Sequence, residues 1–210
     1  MPLQGLPVTP EEVCSRAMVL VGLEPLTSFN EQNRDEVIVA GTIYEVMVAA
    51  ALSAYPWRFA SGEQQLENDS EDPLDRYETA WHYPTLDEGR PLQIESVRRE
   101  DTPIVYDIVK NRIYADADID DVLIAHYQYR VEEAYWLPQF TLYIIFELAS
   151  AFAQSITRNA QQISTFNKMA EVQLSRAKTR DSQSKTPKRM NQTGFLRNRR
   201  RFSGSGNRAG

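Results

Sequence analysis

The apolar period changes twice along this chain of 210 residues, from helical to alternating and back to helical. A helix cannot hold a period of two, nor a strand one of 3.6, so the order of elements follows from those switches. Thr9-Pro10-Glu11-Glu12 is a helix start: Thr9 caps, Pro10 suits the first turn, and Glu12 completes a capping box. Val13, Ala17, Leu20 and Val21 then predict one apolar face, with Gly22 ending the helix, over 10–22. A second helix is predicted over 31–54, with Val37, Ala40, Tyr44, Met47 and Ala51 inward and a sharp exit at Tyr55-Pro56-Trp57. From there to about 131 the pattern alternates, in Leu92–Val97, Ile104–Val109, Arg112–Ala115 and Val122–Val131, with a tight turn at Lys110-Asn111. Gaps of turn length predict an antiparallel meander, and Asn68–Asp72 an exposed acidic loop within it. Helix returns over 138–158 and 160–180. Phe140, Tyr143, Ile144, Leu148, Ala151 and Phe152 cover so much of the third helix that it is predicted to be the central one. Ile163, Phe166, Ala170, Val172, Leu174 and Ala177 give the fourth its inner face. The expectation is one α+β domain over 1–183: a bundle of about four helices with a β insert over 58–131, followed by an extended arm, 184–210.

Charge divides the chain at the same place. From Lys185 onward there are eight Lys and Arg and no acid, whereas positions 1–184 hold 15 bases against 29 acids, a charge of −14. The arm is Ser, Lys, Arg, Asn and Gly around Phe195, Leu196 and Phe202, too little apolar surface to fold alone. Arg197, Arg199, Arg200 and Arg201 admit three readings: phosphate binding with counterion release, a solvated end, or a segment that docks on protein. The three large apolar residues favour docking, with the arginines around them. No uninterrupted apolar run approaches the roughly 18 residues of a membrane span, and the start lacks the basic and apolar regions of a signal peptide. A soluble chain made in the cytoplasm is expected, with no membrane partner.

Candidate chemistry is sparse. His82 and His126 each lie in a strand pattern with no second histidine at metal-ligand spacing, and Cys14 sits in the first helix without a neighbouring base. Asp116, Asp118, Asp120 and Asp121 begin like a calcium loop, but that loop needs Gly sixth and Glu twelfth, where Asp121 and Tyr127 stand. They are expected on a solvated turn. No phosphate-binding glycine loop or nucleophile elbow is present, so no enzyme and no cofactor are expected. Tyr127, Tyr129, Tyr135 and Trp136 crowd the end of the insert, as either a sheet-to-helix junction or a subunit contact.

Several pieces in order carry a resemblance. Cys14-Ser15-Arg16-Ala17 runs into Val21-Gly22-Leu23-Glu24-Pro25-Leu26-Thr27-Ser28-Phe29. Leu52-Ser53-Ala54-Tyr55-Pro56-Trp57-Arg58-Phe59-Ala60 follows the second helix, and His126-Tyr127-Gln128-Tyr129-Arg130-Val131-Glu132 closes the insert. Phe146-Glu147-Leu148-Ala149-Ser150-Ala151-Phe152-Ala153 lies in the third helix. In this order and spacing, over roughly 9–180, the chain resembles the head–tail adaptor proteins of tailed bacteriophages, the group that includes the tail tubular protein A of short-tailed phages. The resemblance implies a virion protein at the head–tail junction, a homo-oligomeric ring (a dodecamer) under the portal protein. It would extend the DNA channel and present its lower face to a tail or nozzle protein. It also implies a C-terminal segment that reaches the portal, although the arginine-rich ending here has no residue-by-residue match. On this reading DNA passes without specific binding, and the four aspartates are the candidates to face the lumen. The alternative is a DNA-binding protein acting through its basic tail.

Overall fold

Thr9 starts the first helix. In the computed structural model, which describes residues 9–31, 34–69, 76–86 and 89–183, its Oγ1 accepts the Glu12 N–H at 3.2 Å and α1 spans Pro10–Val21. Gly22, at φ 87°, takes the left-handed turn, and the Leu23 N–H returns to the Met18 carbonyl at 3.0 Å, closing the helix. The buried face is Val13, Cys14, Ala17, Met18 and Val21. Leu20, expected inside, is exposed. The apolar residues of α1 cover two adjacent stripes, and only the one through Cys14 and Met18 meets the other helices.

The second helix, α2 (Asp35–Ser53), begins later than predicted. Arg34 is extended, and its guanidinium donates to the carbonyls of Glu24 at 2.8 Å and Pro25 at 3.3 Å, fixing the preceding loop. Val37, Ala40, Tyr44, Val48, Ala51 and Leu52 are buried. Beyond Pro56 the chain turns so that Trp57 is fully enclosed, its indole N–H donating to the Ala51 carbonyl at 2.9 Å. Its ring meets Tyr55 and Phe140 edge-on, with centroids 4.7 and 4.9 Å away. The sharp Tyr-Pro-Trp exit is therefore a core-filling device.

After the insert, α3 (Pro138–Phe152) packs against α1, α2 and α4 (Ala160–Gln183) and is the central helix, as its breadth of apolar residues predicts. Its last turn widens to π geometry through Thr157, and Arg158 at φ 52° breaks it. Asn159 then caps α4, its Oδ1 accepting the Gln161 and Gln162 N–H groups at 3.1 and 3.2 Å. The buried stripe of α4 is Phe166, Ala170, Ala177 and Asp181, so Val172 faces outward instead of inward. One expectation needs correcting. Residues 35–53 and 138–157 are each long and apolar enough to cross a membrane, because small and polar residues interrupt their apolar runs without lowering the average enough. Half of the second window is buried within the fold and a third of the first.

The insert is antiparallel but not a meander. Its described strands are β1 (Ser61–Gln65), β2 (Asn68–Asp69), β3 (Thr79–His82), β4 (Gln93–Arg99), β5 (Thr102–Pro103), β6 (Tyr106–Val109), β7 (Arg112–Ala115) and β8 (Leu123–Gln128). They form two sheets, ordered β1-β8-β4-β5 and β2-β3-β7-β6. Only β2/β3, β4/β5 and β6/β7 pair with sequence neighbours; β8 enters between β1 and β4, which no local pattern encodes. Lys110 and Asn111, at φ 48° and 69°, make the predicted tight turn between β6 and β7. Gly62 lies under the Tyr127 ring, which a Cβ there would meet at 2.7 Å. The acidic loop expected at Asn68–Asp72 is also corrected where it is described: Asp69 is buried in β2, its carboxylate bonded to Arg112, and residues 70–72 lie outside the described segments. Val97, Ile113, Leu123 and Ala125 centre a small core between the sheets, separate from the helical core but joined to it through Tyr129.

Candidate functional site

The one cysteine is buried, and each histidine stands beside a single acid. Burial, with Glu11, Glu133 and Glu45 nearby, pushes the Cys14 thiol up to about 12, far from a nucleophilic thiolate. His126 Nδ1 stands 3.1 Å from Glu63 across the β1/β8 pair, and His82 Nδ1 is 3.6 Å from Asp69. The two histidines lie in different sheets. Among the described residues no three His, Cys, Asp or Glu side chains converge as metal ligands would.

The densest polar cluster lies where the insert rejoins the helices. Glu133, buried in a short 3-10 turn, accepts the Tyr44 hydroxyl at 2.7 Å and bonds to the Arg130 guanidinium. Arg130 also grips Glu45 of α2 with two bonds, at 3.0 and 3.1 Å, and lies over the Trp136 ring. Burial opposes the Arg130 charge, but the bonds to Glu45 and Glu133 outweigh it and hold its pKa above the usual guanidinium value. Burial and then Glu133 push the Tyr44 phenol upward, so it stays a donor. With every partner engaged, this cluster orients the insert on α2 and holds no group free to act on a substrate. A cleft of about 670 Å³ beside it is lined by Phe59, Tyr127, Tyr129, Tyr135, Arg90 and Arg130. Arg90 donates to Asn111 at 2.8 Å, so both guanidiniums of the cleft are already bonded within the chain. Of the aromatic cluster noted in the sequence, Trp136 and Tyr127 are buried junction residues, Tyr129 is half-buried, and only Tyr135 is exposed, at 67%.

The four aspartates do share one turn, between β7 and β8, but they are not equivalent. Asp116, Asp118 and Asp120 are exposed. Asp121 pairs with Arg99 at 2.8 Å and accepts the Asp118 N–H at 2.9 Å, and the Arg99 bond depresses its pKa. Three charges thus project from the turn while the fourth shapes it. Ile119 and Val122, both exposed, flank them. Phe195, Leu196, Arg197, Arg199, Arg200, Arg201 and Phe202 lie outside the described residues.

Sequence reasoning missed the exposed apolar faces of the helices. Val19 and Leu20 of α1, with Leu142, Ile145 and Phe146 of α3, line a groove of about 370 Å³. Ile38 and Val46 of α2, 53% and 70% exposed, stand two helical turns apart with Thr42 between them. The signal was present: α2 carries Ile38 and Val46 in addition to its six buried residues, more large apolar side chains than a helix with one covered side needs. The chain matches no protein-family model, and no curated protein matches it.

Proposed function

We propose that this chain is a structural virion protein, a ring-forming head–tail adaptor that joins a phage portal to the tail, and that it is not an enzyme. The observation that carries the reading is the helical surface. Val19 and Leu20 of α1, Ile38 and Val46 of α2, Leu142 of α3 and Met169 and Val172 of α4 are all exposed, more large apolar side chains than a helical layer needs to cover its own core, as expected of a subunit in an assembly. The ordered sequence resemblance over roughly 9–180 supports the same class. The finer architecture belongs to the proposal too: a four-helix bundle carrying the insert, with residues 184–210 as an extended arm. Assembly takes place in the host cytoplasm, with no membrane involved.

In this reading the work is mechanical and electrostatic. Copies close around a channel through which DNA passes without specific binding, and a body of −14 repels phosphates so that the genome stays mobile. Asp116, Asp118 and Asp120, exposed on a turn away from both cores, are the candidates to face that lumen. Phe195, Leu196 and Phe202 anchor the arm on the portal, with Arg197, Arg199, Arg200 and Arg201 around them. The lower face meets the next tail or nozzle component. The arm is tested by deleting Thr186 to Gly210, which should leave a folded body that no longer co-sediments with portal rings. Replacing Phe195 and Phe202 with Ala should abolish most of that binding too. Undiminished binding by the truncated chain contradicts the docking arm. Salt-sensitive DNA binding that depends on the arginines alone supports the DNA-binding alternative instead.

A further inference from the structure

Between α2 and α3 lies a notch of about 310 Å³, with Met47, Ala50, Ala51 and Ala54 on one wall and Tyr143, Ile144 and Glu147 on the other. Glu147 is half-buried there, and among the described residues its carboxylate has no hydrogen bond and no ion pair. The charge it feels is that of a second acid, Glu171 of α4; burial and then this charge raise its pKa. A carboxylate drawn out of water beside another carboxylate is destabilised, and a cation laid across the notch would offset that.

The chain's own end comes to this place. Lys178 Nζ lies 5.3 Å from the centroid of the Tyr55 ring, and the buried Asp181 carboxylate accepts the Arg58 N–H at 3.1 Å. Tyr55 directly follows Ala54, one of the alanines of the notch. Gln183, the last residue of α4, stands about 18 Å beyond Glu171 at roughly 1.5 Å per helical residue. Pro187 disfavours helix at Thr186, so α4 does not simply run on. An extended chain that doubles back covers about 18 Å in roughly six residues. On that path Lys185, Lys188 and Arg189 pass Glu147, their long side chains making up for residues spent on the turn, and Met190 follows them. No acid occurs from Lys185 onward, so nothing in the segment repels the two glutamates.

We propose that residues 185–190 lie back in the α2/α3 notch of their own chain, with Lys188 and Arg189 against Glu147 and Met190 on the alanines. The proposal rests on the reading of 184–210 as an extended arm, and it adds a clip at the arm's root. Phe195, Leu196 and Phe202 remain beyond the notch, free for a partner. The arm of another copy is the poorer occupant, because this chain's own basic segment starts beside the notch.

The test is a disulfide in the full-length chain. Ala50 is exposed and the native Cys14 is buried, so Ala50→Cys and Met190→Cys report the contact without interference. Mild oxidation should join them within one chain about tenfold faster than it joins Ala50→Cys to Ser205→Cys, since a clipped segment has the higher effective concentration. Adding Glu147→Lys should slow the first reaction about tenfold, and Lys188→Glu with Arg189→Glu on top of it should restore the rate. Thermal unfolding checks that each variant folds. Where Glu147→Lys does not, Glu147→Gln replaces it and should slow the reaction by a smaller factor. A rate that ignores the charge at 147, or a disulfide formed only between chains, overturns the clip. Either result leaves the docking arm standing, because that reading falls only if deleting Thr186 to Gly210 leaves portal binding intact.

Discussion

The helices and the strand insert differ in how their charged groups are held. In the insert charges pair across strands and turns: Asp69 is bound by Arg112, Glu63 faces His126, and Asp121 holds Arg99, while Val105, Ile108, Ile119 and Val122 stay exposed. The helices enclose the larger core yet leave Val19, Leu20, Ile38, Val46 and Leu142 exposed. In the proposed reading the helical layer assembles and the β7/β8 turn of the insert presents charge.

The joint between the two regions should be the most sensitive point. Glu133→Ala leaves the Arg130 charge in a half-buried site and strips Tyr44 of its acceptor, so a loss of about 3 kcal/mol is expected in urea unfolding. Fluorescence of the helical Trp57 and the insert Trp81 should still fall in one transition. If Trp81 unfolds first while Trp57 holds, the two regions are separate folding units.

Within the insert, Gly62→Ala pushes a methyl into the Tyr127 ring and should cost about 1–3 kcal/mol by the same measurement. A neutral result would mean that Tyr127 is free to swing into the neighbouring cleft, and that the insert packs less tightly than the helices.

Between α3 and α4 the effect should be smaller and pH-dependent. Burial and then the Glu171 charge raise the pKa of Glu147, so the folded state holds this proton more tightly than the unfolded chain does. The contribution from that proton is fully present at pH below the unfolded glutamate value and is lost as pH rises through the folded value. In a chain ending at Gln183, Glu147→Gln should therefore raise Tm near neutral pH and change it little in acid. An equal change at both pH values would trace the effect to packing instead.

The smallest effect belongs to the tip of the insert. Replacing Asp116, Asp118 and Asp120 with Lys should alter stability by no more than about 0.5 kcal/mol, since all three are exposed. Asp121→Lys should cost more than any one of them, because it also loses Arg99 and the Asp118 N–H. If DNA leaves particles carrying the triple variant at the wild-type rate, these three side chains do not line the channel.

What the sequence discloses differs between the regions for a physical reason. Helix contacts are local in pattern, so Thr9, Gly22, Pro56 and the breadth of α3 can be read directly from composition and spacing. Sheet order is not local. β8 pairs with β1, some sixty residues away, and nothing in either strand names the other, so local pattern predicts a meander that the sheets do not form. Asp69 was misplaced for a related cause: an acid in a polar stretch reads as solvated until a distant Arg112 arrives beside it. The exposed apolar faces are a different case. Leu20 and Val172 were assigned to the core because an apolar period does not distinguish a face covered by its own chain from one left for another. The turn that groups the four aspartates was legible; the division of Asp121 from the other three was not, since it depends on Arg99 in another strand.

The central proposal is that copies of this chain close into a ring through their helices while Asp116, Asp118 and Asp120 stay exposed. Electron microscopy of the full-length protein bound to portal rings tests it most directly, by counting copies and resolving their contacts. The account predicts a closed ring around an open channel, with the helices of neighbouring subunits in contact and the β7/β8 turn reaching the lumen. Isolated copies with their helical faces in solvent, or a ring whose subunits touch only through the sheets, would contradict it.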